Sequence, residues 1–157
     1  SMRYEVAENC MTCHGLAHPG LKAEDLAKML GAGHPINPGF ELVKYSQGSV
    51  RHRHYPPDIK TNAEMTPQEL AQIYLVGQAA ALVSATEVIS KSSEAKYKEA
   101  QSKRVEIAKS ALGGVSEAAG LLAAPTRENA IKFVQSIAGK DLTGAVGSKL
   151  PAKSDYK

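Results

Sequence analysis

The chain contains two cysteines, which stand three positions apart, and a histidine directly follows the second: Cys10, Cys13 and His14. A thioredoxin-like redox pair would follow a hydrophobic strand, whereas the residues before Cys10 are typical of a helix. A zinc knuckle needs a second ligand pair. The only paired histidines, His52 and His54, alternate in a predicted loop. Covalent haem attachment is the third use of this spacing.

Haem attachment accounts for the order of the three side chains. Two thiols separated by two residues reach the two vinyl groups of one porphyrin, and the adjacent imidazole then falls under the iron as its proximal ligand. The sequence therefore predicts one covalent haem c held by Cys10, Cys13 and His14. The alternative is a chance spacing, with the two cysteines in a disulfide or a zinc site.

Composition agrees with a bound prosthetic group. Aromatic residues make up 5% of the chain, tryptophan is absent, and Phe40 and Phe133 are the two phenylalanines. A core made of protein alone would rest on small aliphatic side chains, and a large flat apolar group would supplement it. The net charge of +3 is too weak and too dispersed to indicate a nucleic-acid partner.

The chain shows no uninterrupted apolar run of about twenty residues, so we expect no membrane span. Residues 70–86 lack charge, but Gln72, Gln78 and Ser84 interrupt them, which favours a buried helix. The Ser1-Met2 start is typical of an expression scar, and we expect that a leader has been removed.

The segment from Glu8 to Gly15 resembles the haem-binding start of class I cytochromes c. In those domains a first helix ends in the haem-attachment motif, a proline-containing loop and middle helices follow, and a loop then supplies the sixth iron ligand. The resemblance covers roughly residues 3–85. It implies that the carbonyl of Pro19 receives the N–H of the proximal imidazole and so fixes the ring.

The start of a long helix further along the chain also fits this resemblance. Thr66 is a good N-cap, Pro67 suits the first helical position, and Glu69 completes a capping box. Met65 before the cap can pack on Leu70.

The ligand loop departs from the family pattern, because Tyr55 stands where the family has a methionine before Pro-Pro. We expect His54 to be the sixth iron ligand, with His52 as the next candidate. Met65 is a third candidate, and the fourth possibility is Tyr55 itself or an empty position. His52 and His54 would otherwise belong to a solvated basic loop.

Two arginines flank these histidines. Arg51 and Arg53 are candidates to pair with the haem propionates, since a guanidinium fork suits a carboxylate. Exposed surface charge is the alternative for both. With Pro19 and Tyr55 they complete the predicted haem-contacting set.

The second half of the chain lies outside the resemblance. Its sequence predicts a helix rich in charged residues over 91–112, a short helix over 116–124, a helix capped by Thr126 and ended by Gly139, and a tail over 140–157. The apolar anchors predicted for the helix over 91–112 are Tyr97, Ala100, Ile107, Ala108 and Ala111.

The predicted fold is therefore all-α. A cytochrome c-like haem domain over residues 1–90 precedes a helical extension over residues 91–157, made of a long helix, a helical hairpin and a flexible C-terminal tail. The extension either packs on the haem domain or serves as an arm that forms a homodimer or heterodimer. A haem four-helix bundle is the alternative, although its attachment motif lies near the end of the last helix.

Single-electron transfer with a redox partner protein is the function that the resemblance implies, without enzymatic turnover. The alternatives are a haem-based sensor that binds NO, CO or peroxide at an exchangeable sixth site, and a haem subunit of an oxidoreductase complex. Because haem c is attached outside the cytoplasm, the resemblance also implies a periplasmic location.

Overall fold

The computed structural model describes residues 2–48 and 63–157, and every regular element in these ranges is helical. This confirms the all-α class. The eight α-helices are α1 (Met2–His14), α2 (Ala23–Gly31), α3 (Leu42–Ser46), α4 (Pro67–Lys91), α5 (Ala95–Leu112), α6 (Ala119–Ala123), α7 (Arg127–Ile137) and α8 (Thr143–Val146). Short 3₁₀ turns lie at Ser116–Ala118, Gly147–Lys149 and Lys153–Asp155.

Helix α4 is the centre of the fold. Every residue from Ala71 to Val83 is buried, and α1, α3, α5, α7 and α8 all pack against it. A helix that is apolar on all sides needs neighbours on all sides. The uncharged stretch in the sequence is therefore a buried helix, as its composition predicts.

The ends of α4 follow from local sequence. The Thr66 hydroxyl accepts a hydrogen bond from the Glu69 N–H at 3.2 Å, and the Glu69 carboxylate accepts one from the Thr66 N–H at 2.7 Å. The predicted capping box is thus confirmed. At the other end the chain turns extended at Ser92, and the side chain of Glu94 caps α5 by accepting from the Tyr97 N–H at 2.7 Å.

Helix α4 is also, in the part of the chain that the structure describes, the one helix long and apolar enough to cross a membrane. Its most apolar window is 72% buried inside the fold. The core helix of a folded protein has the same length and composition, so this feature is weak evidence for a span. The expectation of no membrane span stays a prediction.

Helix α5 buries a different face from the one predicted. Tyr97, Ala108 and Ala111 are buried as expected, but Ile107 is 40% exposed. The buried stripe instead includes two polar residues, Gln101 and Arg104. These positions repeat every three or four residues, which is the spacing of one helix face, and Ile107 lies beside that face.

The buried apolar residues form two clusters. The larger one draws on α1, α3, α4, α5 and α7 and so includes residues on both sides of residue 90. The smaller one joins the segment after α1 to α2 and to the facing ends of α4 and α5; it contains Leu16, Ala17, Leu26, Ala27, Val88 and Tyr97. The division of the chain into domains at residue 90 stays a prediction.

Residues 140–157, for which the sequence predicts a tail, contain α8 and two 3₁₀ turns. Leu142 and Val146 are buried in the larger cluster. The ammonium of Lys149 donates to the carbonyl of Ser110 at 2.9 Å near the end of α5, and the backbone N–H of Lys157 donates to the carbonyl of Lys44 at 2.8 Å.

Helix α3 lies close to α4 because a glycine makes room for it. A Cβ atom on Gly77 would stand 2.9 Å from Leu42 Cγ, which is closer than carbon atoms approach. The absence of a side chain at Gly77 therefore permits close contact between α3 and α4 at this position.

We predict that the protein loses stability at alkaline pH in part through Tyr4. Burial, with the Glu8 carboxylate as a smaller cause, raises the pKa of the Tyr4 phenol well above its usual value. Above about pH 10 the unfolded chain releases this proton and the folded chain keeps it, so the free energy of unfolding falls as pH rises, by up to about 1.4 kcal/mol per pH unit. Urea denaturation of Tyr4→Phe at several alkaline pH values should show a shallower decline than the wild type. Parallel declines would contradict this assignment.

Candidate functional site

The motif of Cys10, Cys13 and His14 occupies the last turn and a half of α1. Cys10 is half-buried and packs against the larger cluster, whereas Cys13 and His14 are exposed. Both cysteines are free thiols. Positions three apart lie on one face of a helix, so the two thiols share a side of α1. Burial raises the pKa of the Cys10 thiol.

The imidazole of His14 stacks on a phenylalanine. The ring centroids of His14 and Phe40 lie 4.0 Å apart with an interplanar angle of 3°. Tyr45 packs at a tilt against Phe40, with centroids 4.9 Å apart, and lies 6.2 Å from the His14 centroid. Within the described part of the chain, neither ring nitrogen of His14 makes a hydrogen bond. The ring is held by its face.

Hydrogen bonds from Asn37 and a helix cap at Glu41 hold Phe40 and Tyr45 in place. The side-chain amide of Asn37 donates to the Tyr45 hydroxyl at 2.8 Å, and the backbone of Asn37 accepts from the Phe40 N–H at 3.0 Å. Glu41, at the N-cap of α3, accepts from the backbone N–H groups of Val43 and Lys44. Burial raises the pKa of the Glu41 carboxyl. The cap fixes the start of the helix that carries Tyr45.

Helix α1 ends in a Schellman turn. The Leu16 N–H donates to the carbonyl of Cys13, and the Ala17 N–H donates to the carbonyl of Thr12, each at 3.1 Å. This motif places one residue in the left-handed region, usually glycine. Here that residue is Leu16, with φ of 47°, at a cost of roughly 1–2 kcal/mol for a residue with a side chain. Its side chain is 2% exposed and belongs to the smaller cluster, which offsets that cost.

Gly15 precedes Leu16 and is needed for space. A Cβ atom on Gly15 would lie 2.5 Å from Cζ of Arg104 and 2.6 Å from the carbonyl oxygen of Met11. The guanidinium of Arg104 therefore lies directly against the backbone that follows His14. Neither Leu16 nor Arg104 is among the residues that the sequence singles out.

Pro19 is the predicted partner of the His14 ring, and that role stays a prediction. Pro19 is exposed in the turn that follows α1, and in the described residues its carbonyl receives no hydrogen bond from His14. His18 accepts from the Gly20 N–H through Nδ1 at 3.0 Å, and His34 is exposed. Both histidines are loop residues, as the sequence predicts.

The predicted haem-contacting and ligand residues between α3 and α4 lie outside the described residues. These are Arg51, His52, Arg53, His54 and Tyr55. Their assignments stay predictions. Met65, a further ligand candidate, is half-buried and lines a cavity of about 360 Å³ together with Leu70 and Tyr156. Met65 and Leu70 both pack against the larger cluster, and the predicted contact between the two stays a prediction.

Residues 2–48 and 63–157 bring no three His, Cys, Asp or Glu side chains together in a geometry that would hold a metal ion. The end of α1 offers two thiols and one imidazole.

The sequence could have indicated some of the residues that it did not single out. Phe40 is one of two phenylalanines in a chain poor in aromatic residues, which marks it as a core or site residue. Its pairing with His14 joins positions 26 residues apart through tertiary structure, and no local pattern shows this. Gln101 and Arg104 share a helical spacing with Tyr97, but their polarity suggests an exposed face.

Comparison with models of protein families, with curated proteins and with solved structures finds no match to this chain.

We predict that Gly15→Ala destabilises the protein by about 1–3 kcal/mol, because the added methyl group has to displace Arg104 or the turn itself. Urea denaturation followed by circular dichroism measures the loss. Gly31→Ala is the matched control, since a Cβ atom at Gly31 meets no atom within 4 Å. Equal stability of Gly15→Ala and the wild type would show that the guanidinium does not lie against Gly15.

Proposed function

We propose that this chain is a periplasmic c-type cytochrome that carries one covalent haem and transfers single electrons to and from a redox partner protein. In this proposal residues 1–90 are a class I cytochrome c-like domain and residues 91–157 are its helical extension. The observation that carries the proposal is the state of the motif: two free thiols on one side of α1, followed by an imidazole that is stacked on Phe40 and makes no hydrogen bond to residues 2–48 or 63–157.

The residues at the end of α1 fit a haem c. Each thiol can add across a vinyl C=C bond, with sulfur bonding to one carbon and hydrogen to the other, so the addition needs no oxidant. Cys10 is half-buried against the larger cluster and Cys13 is exposed, so in this proposal one thioether link lies against the core and the other at the surface. When bound, the haem supplies a one-electron couple between ferric and ferrous iron.

The remaining residues of the site orient the proximal ligand. Phe40 covers one face of the His14 ring and fixes its plane. Tyr45 packs behind Phe40 and is itself anchored by Asn37. The stack excludes water from that face of the imidazole while leaving the ring nitrogens free to bind iron. A rigid ligand environment suits electron transfer, because the ligand then need not reorganise as the electron moves.

We predict that co-expression with the cytochrome c maturation machinery yields a coloured protein whose mass equals that of the polypeptide plus one haem. Cys10→Ala and Cys13→Ala should each lose one thioether link, and the double variant should lose covalent haem. His14→Ala should lose the proximal ligand, whereas His34→Ala, another exposed histidine, should match the wild type. Mass spectrometry and visible spectra of the reduced proteins measure these outcomes. A colourless wild type with the bare polypeptide mass would refute the proposal.

We further predict that His54 supplies the sixth ligand of the iron. Reduced spectra recorded with and without CO should show a six-coordinate wild type that binds CO slowly, and His54→Ala should become five-coordinate and bind CO rapidly. His52→Ala and Met65→Ala are the comparison variants. If the wild type itself is five-coordinate and binds CO at once, an exchangeable-ligand sensor replaces electron transfer. If only His52→Ala or Met65→Ala changes the spectrum, the ligand is that residue.

A further inference from the structure

The turn that follows His14 lies under three buried side chains of α5. The Tyr97 hydroxyl donates to the carbonyl of Leu16 at 2.6 Å. The Gln101 amide donates to the carbonyl of Gly15 at 2.8 Å and to that of Leu16 at 3.3 Å. Arg104 donates to the same Gly15 carbonyl at 3.2 Å. These residues are separated from the turn by more than 80 positions in sequence, so the contact is a property of the fold.

These bonds restrain a backbone that would otherwise relax. Leu16 is in the left-handed region, and such a residue persists only where its surroundings determine its conformation. Its carbonyl receives two donors from α5, and its side chain is buried. The position of the last turn of α1, and with it the base of the His14 side chain, therefore depends on α5.

Burying Arg104 beside this turn is energetically unfavourable. It is 3% exposed, and its acceptors among the described residues are all neutral: the carbonyl of Gly15, the amide oxygen of Gln101 at 2.7 Å and the hydroxyl of Ser84 at 2.9 Å. No carboxylate pairs with Arg104 among residues 2–48 and 63–157. Burying a cation without an opposite charge is unfavourable, and an apolar side chain would pack α5 on α4 without that penalty. Helix packing alone does not explain an arginine here.

The charge persists under ordinary conditions. Burial lowers the pKa of Arg104 to about 10, so the guanidinium is protonated at neutral pH. A fixed positive charge in a region of low dielectric acts strongly on any redox centre close to it.

We propose that Gln101 and Arg104 are positioning residues for His14, and that the buried charge of Arg104 raises the reduction potential of iron bound there. This rests on the proposed haem attachment. Ferric iron carries one more positive charge than ferrous iron, so a neighbouring cation disfavours the oxidised form. Helix α5, the first helix of the extension, thus contributes to the reduction potential of the iron and to the orientation of His14.

Two substitutions separate the charge from the hydrogen bonds. Arg104→Gln removes the charge and keeps an amide donor, whereas Gln101→Leu removes a donor and keeps the charge. Gln72→Leu is the matched control. Gln72 is a buried glutamine on α4 that donates to the carbonyls of Ile137 and Lys140 at 2.6 and 2.7 Å. The Gln72→Leu substitution removes hydrogen bonds from a side-chain amide to backbone carbonyls at the end of α7, away from the turn after His14.

The experiment is a redox titration of the mature haem protein, combined with electron paramagnetic resonance of its ferric form. We expect Arg104→Gln to lower the midpoint potential, and Gln101→Leu to leave the potential near the wild-type value while broadening the ferric signal through a wider spread of imidazole orientations. Gln72→Leu should change neither quantity.

The outcomes distinguish this inference from the proposed function. A wild type without covalent haem overturns both. A haem-loaded wild type whose potential is unchanged by Arg104→Gln, or changed as much by Gln72→Leu, overturns the inference and leaves the proposed function intact. An unbroadened signal in Gln101→Leu overturns the positioning role even if the charge effect is present.

Discussion

The buried guanidinium of Arg104 donates to the carbonyl of Gly15, the residue that follows His14, and several other features of this region are connected with that contact. Because the guanidinium lies against Gly15, that position has no room for a side chain. The left-handed conformation that ends α1 lies at the next residue, Leu16. The buried side chain of Leu16 belongs to the smaller hydrophobic cluster, which includes residues of α2. The buried cation thus lies where α1 ends and the chain turns toward α2.

Helix α4 assembles the candidate site from two directions. It packs against α1, which carries His14, and against α3, which carries Tyr45. The second contact is close because Gly77 faces Leu42. The stack of His14 on Phe40 is the meeting point of these two supports. The site is therefore built from short segments that would not hold their positions without the long helix behind them.

The sequence predicts those parts of the structure that local chemistry controls. The capping box at Thr66 and Glu69, the cap of α7 at Thr126 and the end of that helix before Gly139 all form as expected, because their hydrogen bonds join residues a few positions apart. The motif at the end of α1 is equally local. The buried face of α5 is not set by local sequence, because Ile107 is apolar and exposed whereas Arg104 is charged and buried.

That exception has a physical cause. Hydrophobic periodicity locates a buried face only when the buried residues are apolar. On α5 two of the buried positions are polar, since their partners are backbone carbonyls at the end of α1 rather than apolar side chains. Those carbonyls are acceptors only because α1 ends there in a turn with Leu16 in the left-handed region, and no pattern within α5 carries that information.

The relation between the two halves of the chain rests on the same contacts. Residue 90 is the predicted boundary between the two halves, but hydrogen bonds cross it. Without α5 the carbonyls of Gly15 and Leu16 would lose the donors that hold them, and the strained conformation of Leu16 would lose most of its support. The end of α1 would then relax toward an ordinary helix end, and His14 would move with it. Whatever the motif binds, its geometry is set jointly by the first helix of the chain and the fifth.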